Sequence, residues 1–285
     1  MSKRLLLSID GHVGPLNSVQ GGYVTGEVVR ERPGPGPFVK KHLATIRYED
    51  VVITAGFALP GAFYDWISAT WDGHWPSRAV SIIETAPGDS EERQYLDARI
   101  VETIVPALDG SAGDAGYLTV RIAPERVLVA DPSGGAVRDH SKQSGKRWHV
   151  SDFRLEIDSL DCTNVRRIDS FAVRSAPTAD DTGDHREPQK QPGVLDFPDL
   201  SITIARTSAR SWLDWHDDFV VKGNNGQARE KSGSLVLLSR KKKREVARVD
   251  LFNLGVYRVA PDRSGDVTAR LYCERMEFRA EARPR

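Results

Sequence analysis

Three short landmarks recur in the same order in the two halves of this chain, and their spacing constrains the fold more than any other feature. The first is an alternating apolar segment ending in Ile-Asp: Leu5-Leu6-Leu7-Ser8-Ile9-Asp10 and Phe153-Arg154-Leu155-Glu156-Ile157-Asp158. The second is an aromatic segment around Asp-Trp: Phe63-Tyr64-Asp65-Trp66 and Trp212-Leu213-Asp214-Trp215. The third is Glu-Arg-apolar: Glu125-Arg126-Val127 and Glu274-Arg275-Met276. Asp10 to Asp65 is 65 − 10 = 55 residues, and Asp158 to Asp214 is 214 − 158 = 56. From the helix Asp to the Glu, 125 − 65 and 274 − 214 both give 60. One dipeptide recurs by chance. Three in order at near-constant offset predict an internal duplication whose copies have diverged in sequence.

Between the landmarks the pattern predicts strands. Residues 42–48 and 200–205 alternate apolar and polar side chains, the period of a half-buried strand. Residues 80–83 are expected to pair with 98–105, and 235–238 with 246–254, while 118–122 and 267–271 close each half. Pro87-Gly88-Asp89-Ser90 and Arg240-Lys241-Lys242-Lys243-Arg244 read as hairpin tips. Each half also carries one helix. Pro60 starts the first, with Phe63, Trp66, Ile67 and Thr70 on one face. Thr207 or Ser208 is expected to cap the second, which places Trp212, Trp215 and Phe219 on one stripe and ends at Gly223. Helical spacing accounts for these aromatics as core. The predicted fold class is mainly β (α+β): two tandem antiparallel β-sandwich or barrel domains, each with one flanking α-helix. The Pro/Gly run at 32–37 and the polar stretch at 176–192 read as long loops inside their domains, where assembly or function often resides. The join falls in the Ser-, Gly-, Asp- and Lys-rich residues 131–145, which sets domain 1 at 1–131, a linker at 132–147 and domain 2 at 148–285.

Composition narrows function. A length of 285 residues suits two domains, and equal totals of 40 basic and 40 acidic residues give no global excess for tracking a phosphate backbone. No apolar run approaches the roughly 20 residues that span a bilayer. Ser8, Asp10 and Gly11 interrupt the N-terminal leucines before they form a secretory core, so synthesis in the cytoplasm without a membrane anchor is expected. Cys162 and Cys273 have no CxxC or metal spacing and read as core or strand thiols. There is no G-x-S-x-G, P-loop, H-E-x-x-H, or G-x-G-x-x-G beside a βαβ pattern. His216-Asp217-Asp218 is the one local His and carboxylate cluster, and adjacent side chains on a helix diverge, which favours a solvated face. Asp65 and Asp214 occupy equivalent positions as paired acids or as structural residues, and duplication alone accounts for both. The expectation is a protein that is not an enzyme, with no catalytic, cofactor-binding or metal-binding residues and no cofactor.

Two equivalent tips carry opposite charge. Arg240-Lys241-Lys242-Lys243-Arg244 is basic, and Asp89-Ser90-Glu91-Glu92-Arg93 is acidic. They read as solvated tips, or as patches that select an oppositely charged partner.

The order Leu7-Ser8-Ile9-Asp10-Gly11, then Ile46-Arg47-Tyr48-Glu49-Asp50-Val51-Val52-Ile53-Thr54-Ala55-Gly56, then Phe63-Tyr64-Asp65-Trp66-Ile67 resembles the tail-tube and inner-tube proteins of contractile phages and phage-like injection systems. The second half keeps the helix and final strands but lacks the Gly-rich approach to the helix. The resemblance covers nearly the whole chain, once per half, and its short hydrophobic motifs speak more to fold than to function. It implies a small β-sandwich or barrel with one helix, and hexameric rings whose strands join edge to edge around a lumen. The main tube protein of that family has one such domain, whereas this chain has two, so three chains would make a pseudo-hexameric ring. The resemblance therefore implies a structural protein of a virion tail or contractile injection particle: a tube ring, a ring at a tube end, or a hub. Its implied partners are its own copies, as trimer or hexamer, and other tube, baseplate or hub subunits, with DNA or cargo in transient contact in the lumen. The alternative is a monomeric binding or adaptor module that retains a duplicated tube-type fold.

Overall fold

A computed structural model of the chain describes residues 4–31, 38–86, 89–130, 148–175, 178–180, 189–191, 193–239 and 244–281. The first half contributes β1 (Arg4–Ile9), β2 (His12–Pro15), β3 (Ser18–Gly21), β4 (Val24–Glu31), β5 (Lys40–Tyr48), β6 (Val51–Ala55), α1 (Gly61–Trp71), β7 (Arg78–Ala86), β8 (Asp89–Val105), β9 (Leu108–Asp109), β10 (Leu118–Ala123) and β11 (Arg126–Ala130). The second contributes β12 (Trp148–Ile157), β13 (Val165–Ile168), β14 (Phe171–Ser175), β15 (Thr178–Asp180), β16 (Gln189–Gln191), β17 (Leu195–Asp196), β18 (Leu200–Ile204), α2 (Arg210–His216), β19 (Lys231–Ser239), β20 (Glu245–Pro261) and β21 (Val267–Ala280).

The first sheet runs β2-β1-β7-β8-β10-β6-β3 and the second β12-β19-β20-β21-β18-β13-β9. Leaving out β2 and β9, the two orders match element for element, with β10 and β11 together taking the place of β21. The registers match too. Ala55 pairs with Leu118 at the end of β6, as Ile204 pairs with Val267 at the end of β18. Val101 bulges between Ile100 and Glu102 opposite β10, and Tyr257 bulges between Val256 and Arg258 opposite β21. In the first sheet β2 and β3 lie at opposite ends, yet only Leu16 and Asn17 separate them. Their N–H groups donate to the carbonyls of Leu5 and Thr54, which draws the ends together into a nearly closed barrel. The mainly β fold with antiparallel barrel-like sheets and two α-helices is thus the one the sequence predicts.

Several local expectations differ. Residues 80–83 pair with 92–95, not with 98–105, because the hairpin is tight enough to set Ala86 opposite Asp89. β8 therefore outruns β7 and leaves its C-terminal part for another strand. The residues read as an acidic tip, 89–93, all lie in β8, and Arg93 is buried beside Glu84 at 2.5 Å and Glu91 at 3.3 Å. Residues 42–48 do form a strand, but β5 is exposed on both faces because among the described residues it pairs only with β4, as a two-stranded ribbon. The last strand of the first half breaks at Pro124, which has no N–H for the ladder, and Glu125 in the gap pairs with Arg99. Glu274 sits inside the unbroken β21.

The helices bury the predicted aromatics. Trp66 is fully buried and its Nε1–H donates to Pro76 O at 2.8 Å; Trp212 does the same to Asp161 O at 3.0 Å. The expected cap is absent. Thr207 and Ser208 lie in a 3-10 turn, Ala209 precedes α2, and the Ser208 hydroxyl accepts instead from Asn164 Nδ2 at 2.8 Å. A π-helical turn at Asp217–Val221 extends α2, and Gly223 follows with φ 73°. The linker at 132–147, the Pro/Gly run at 32–37 and Arg240 to Lys243 lie outside the described residues.

Candidate assembly surfaces

The two halves meet strand to strand. β14 pairs antiparallel with the C-terminal part of β8: Phe171 faces Val105, Ala172 faces Ile104, Val173 faces Thr103 and Arg174 faces Glu102. β9, from the first half of the sequence, extends the second sheet by pairing with β13. Arg174 Nε lies 2.7 Å from Glu102, which Arg121 approaches from the other side at 3.3 Å. Two aromatic contacts flank this joint. Trp71 of α1 packs on Phe278 of β21 at 5.5 Å, and Trp148 meets Phe57 at 5.5 Å. The Trp148 ring also covers Gly116, where an added Cβ would stand 2.1 Å from it, so only glycine admits that approach. One buried apolar cluster runs through both halves as a result. This joint is missed by the sequence reading, in which 171–175 is only the approach to a loop. Its signal is the short apolar run Phe171-Ala172-Val173, and in the fold four of the five positions from Phe171 to Ser175 are buried.

Equivalent surfaces lie open at the two ends. β19 accompanies β20 only as far as Leu254, so the edge of Tyr257 to Pro261 has no partner strand among the described residues. Several matching positions are buried in one half and exposed in the other. On the helices, Tyr64 and Trp71 are 8% and 2% exposed, and their counterparts Leu213 and Val220 are 46% and 42%. On the facing side, Phe171 and Phe278 are 4% and 0% exposed, and their counterparts Val24 and Val129 are 46% and 69%. Tyr23, Val28, Leu43 and Ile46 add further exposed apolar surface along the β4–β5 ribbon. A two-stranded ribbon of this kind is marginal in water unless something covers it.

The residues weighed for chemistry are not brought together. Asp65 is exposed on α1, and Asp214 is held by Arg210 at 3.0 Å on α2. In the His-Asp-Asp cluster Asp217 pairs with Lys222 at 2.6 Å and Asp218 accepts from Asn224 at 2.7 Å. No group of three or more His, Cys, Asp or Glu side chains among the described residues is arranged to hold a metal. Burial pushes the Cys162 and Cys273 thiols up to about 11, which leaves both protonated and poorly nucleophilic near neutral pH. An open groove beside β12 is lined by Phe153, Leu155, Ile157, Cys162, Arg248 and Asp250. No helix of the described residues is long and apolar enough to cross a membrane.

No protein-family profile matches the chain, and no curated protein matches it. Among solved structures, it is similar to the sheath/tube terminator of an extracellular contractile injection system, PVC, in the extended state, with 19% identity and a TM-score of 0.39 over 45% of this chain and 94% of that one. It is similar to a chain of the PVC sheath-tube complex in the extended state, with 19% identity and a TM-score of 0.38 over 45% of this chain and 88% of that one. It is also similar to the tube-terminating cap of the anti-feeding prophage, with 17% identity and a TM-score of 0.39 over 45% of this chain and 87% of that one.

Proposed function

We propose that this chain is a structural subunit of a phage tail or phage-tail-like contractile injection particle, in which it forms or caps a ring of the inner tube. Its two halves, 1–131 and 148–285, are tandem tube-type domains joined by residues 132–147. Three chains would then place six domains around a lumen. The observation that carries this reading is the joint itself: one half already receives a strand from the other, and the matching donor and acceptor surfaces stand open at opposite ends of the chain. An interface that uses two different surfaces repeats head to tail, and it closes into a ring when the rotation per subunit allows. Ring closure would pair every open edge, and unpaired edges are otherwise a liability. The order of motifs that resembles tube proteins points the same way. Other tube, baseplate or hub subunits would be the neighbours, and DNA or cargo would pass the lumen. The chain would be made in the cytoplasm and reside in the assembled particle. Light scattering with negative-stain imaging of the same sample tests this. A trimeric mass with a central hole is expected. A monomer at every concentration and ionic strength tried would contradict it.

A further inference from the structure

The internal joint contains a row of charged side chains that crosses four strands: Arg121 of β10, Glu102 of β8, Arg174 of β14 and Asp196 of β17. Signs alternate along the row, and Glu102 is held between Arg121 and Arg174. The matching registers of the two sheets locate the same row at the open surfaces. Arg121 corresponds to Arg270, and Glu102 to Arg258, the residue just past the shared bulge. β4 and β14 each begin three residues after the end of the preceding strand, so Arg174 corresponds to Glu27. Arg47 and Asp196 each lie four residues before the next strand, β6 or β18, and correspond in turn.

Three of the four signs are therefore reversed. Glu102, Arg174 and Asp196 become Arg258, Glu27 and Arg47. Within one chain this leaves a defect: Arg258 is exposed and stands directly across the ladder from Arg270, and like charges in that arrangement destabilise a sheet. Arg270 has acidic neighbours in Asp169 and the Tyr257–Asp199 pair, whereas Arg258 is met by no carboxylate among the described residues. At the other end Glu27 sits at the register shift of the β4–β5 ladder and holds Arg47, which stands opposite Thr25, at 2.8 Å.

We infer that β4 of one copy pairs antiparallel with the Tyr257 to Pro261 edge of β20 in the next copy, and that Glu27 and Arg258 meet there and fix the order of the halves. The occupant of the open edge is thus a second copy of this chain, and the inference rests on the assembly reading above. Val24, Thr25, Gly26 and Glu27 take the places of Phe171, Ala172, Val173 and Arg174, opposite Pro261, Ala260, Val259 and Arg258. Val129 comes to Val220 as Phe278 comes to Trp71. The sign reversal does more than attract. A β4 strand that settled on the β8 edge would set Glu27 against Glu102, and a β14 strand that settled on the β20 edge would set Arg174 against Arg258. Both wrong pairings carry like charges, so first half joins second half around the assembly and never its own kind.

The test is a charge-reversal series read by mass in solution, with circular dichroism to establish that each variant is folded. Both residues are on the surface, so Glu27→Arg and Arg258→Glu should fold as the parent does. Each single reversal is expected to weaken self-association roughly tenfold or more. The triple variant Glu27→Arg, Arg47→Glu, Arg258→Glu reproduces the signs of the internal joint and is expected to restore it. If the parent protein assembles and the single reversals assemble equally well, or the folded triple variant stays dissociated, the inference is overturned and the assembly reading stands. If the parent protein itself never assembles, the assembly reading fails and the inference falls with it.

Discussion

Residues 101–105 of β8 and 257–261 of β20 occupy the same place in matching sheets, after the same bulge and opposite the same stretch of the closing strand. One is buried and the other is largely exposed. The fold alone does not decide the difference, since both sheets offer the same edge. What decides it is whether a strand arrives: β14 covers the end of β8, and no strand among the described residues covers the end of β20. The side chains follow. Both edges carry a charge at the same position, Glu102 and Arg258, but beyond it the covered edge has Thr103, Ile104 and Val105, while the open one has Val259, Ala260 and Pro261, whose missing donor discourages indiscriminate edge pairing. An edge guarded this way still admits a strand that brings a carboxylate to the right register.

The comparison breaks most visibly at the helices. Trp71→Ala should lower stability by about 3–5 kcal/mol, the usual cost of truncating a buried Trp. Val220→Ala, at the matching position, should change monomer stability by no more than about 0.5 kcal/mol and weaken self-association instead. Denaturant titration of both variants separates the two outcomes, and equal losses would mean the surfaces are not counterparts.

A smaller effect distinguishes two tyrosines, the buried Tyr95 and the partly buried Tyr272. The Tyr272 hydroxyl donates to Glu230 at 2.8 Å, whereas the Tyr95 hydroxyl is buried without a hydrogen-bond partner among the described residues. Tyr272→Phe should cost about 1 kcal/mol, and Tyr95→Phe should be neutral or stabilising. Burial pushes both hydroxyls up to about 12, and for Tyr272 the bond to Glu230 adds to it. Because the folded-state value is raised, each contributes stability that is complete below about pH 10 and lost as pH rises toward 12. Thermal unfolding across that window should show a shallower fall in the Tyr272→Phe variant, with the share of Tyr95 remaining.

The smallest expected effect lies in the charged row. Arg174→Ala should reduce monomer stability by about 0.2–1 kcal/mol, as for other half-exposed ion pairs, and the loss should shrink as salt rises. Arg258→Ala should leave the monomer unchanged or slightly more stable, because it removes a like charge from Arg270. Urea titrations at low and high salt check both.

Much of this was legible in the chain because alternation and helical spacing report what each residue packs against. The spaced Ile-Asp landmarks end β1 and β12, the Asp-Trp landmarks lie on α1 and α2, and the Glu-Arg landmarks lie at the break before β11 and inside β21. The aromatics of both helices are core, as their spacing requires. The joint was not legible, since whether Phe171 to Ser175 lies on its own sheet or a neighbour's depends on contacts far apart in sequence. The alternation of β5 misleads for a related reason: a period of two describes a strand with distinct faces, and in this chain neither face is covered. The absent cap at Ser208 reflects a competing partner, Asn164, that local sequence does not reveal.

The most direct test of the account is a cysteine pair at Thr25 and Ala260, the counterparts of Ala172 and Ile104, which face each other in the internal joint. The native thiols are held protonated by burial and should oxidise slowly. After mild oxidation, the Thr25→Cys, Ala260→Cys protein should run on a non-reducing gel as covalent multimers that stop at the size of the assembled ring, and neither single variant should do so. Oxidised protein that remains monomeric, or dimers that form equally with Thr25→Cys alone, would contradict the pairing of β4 with β20.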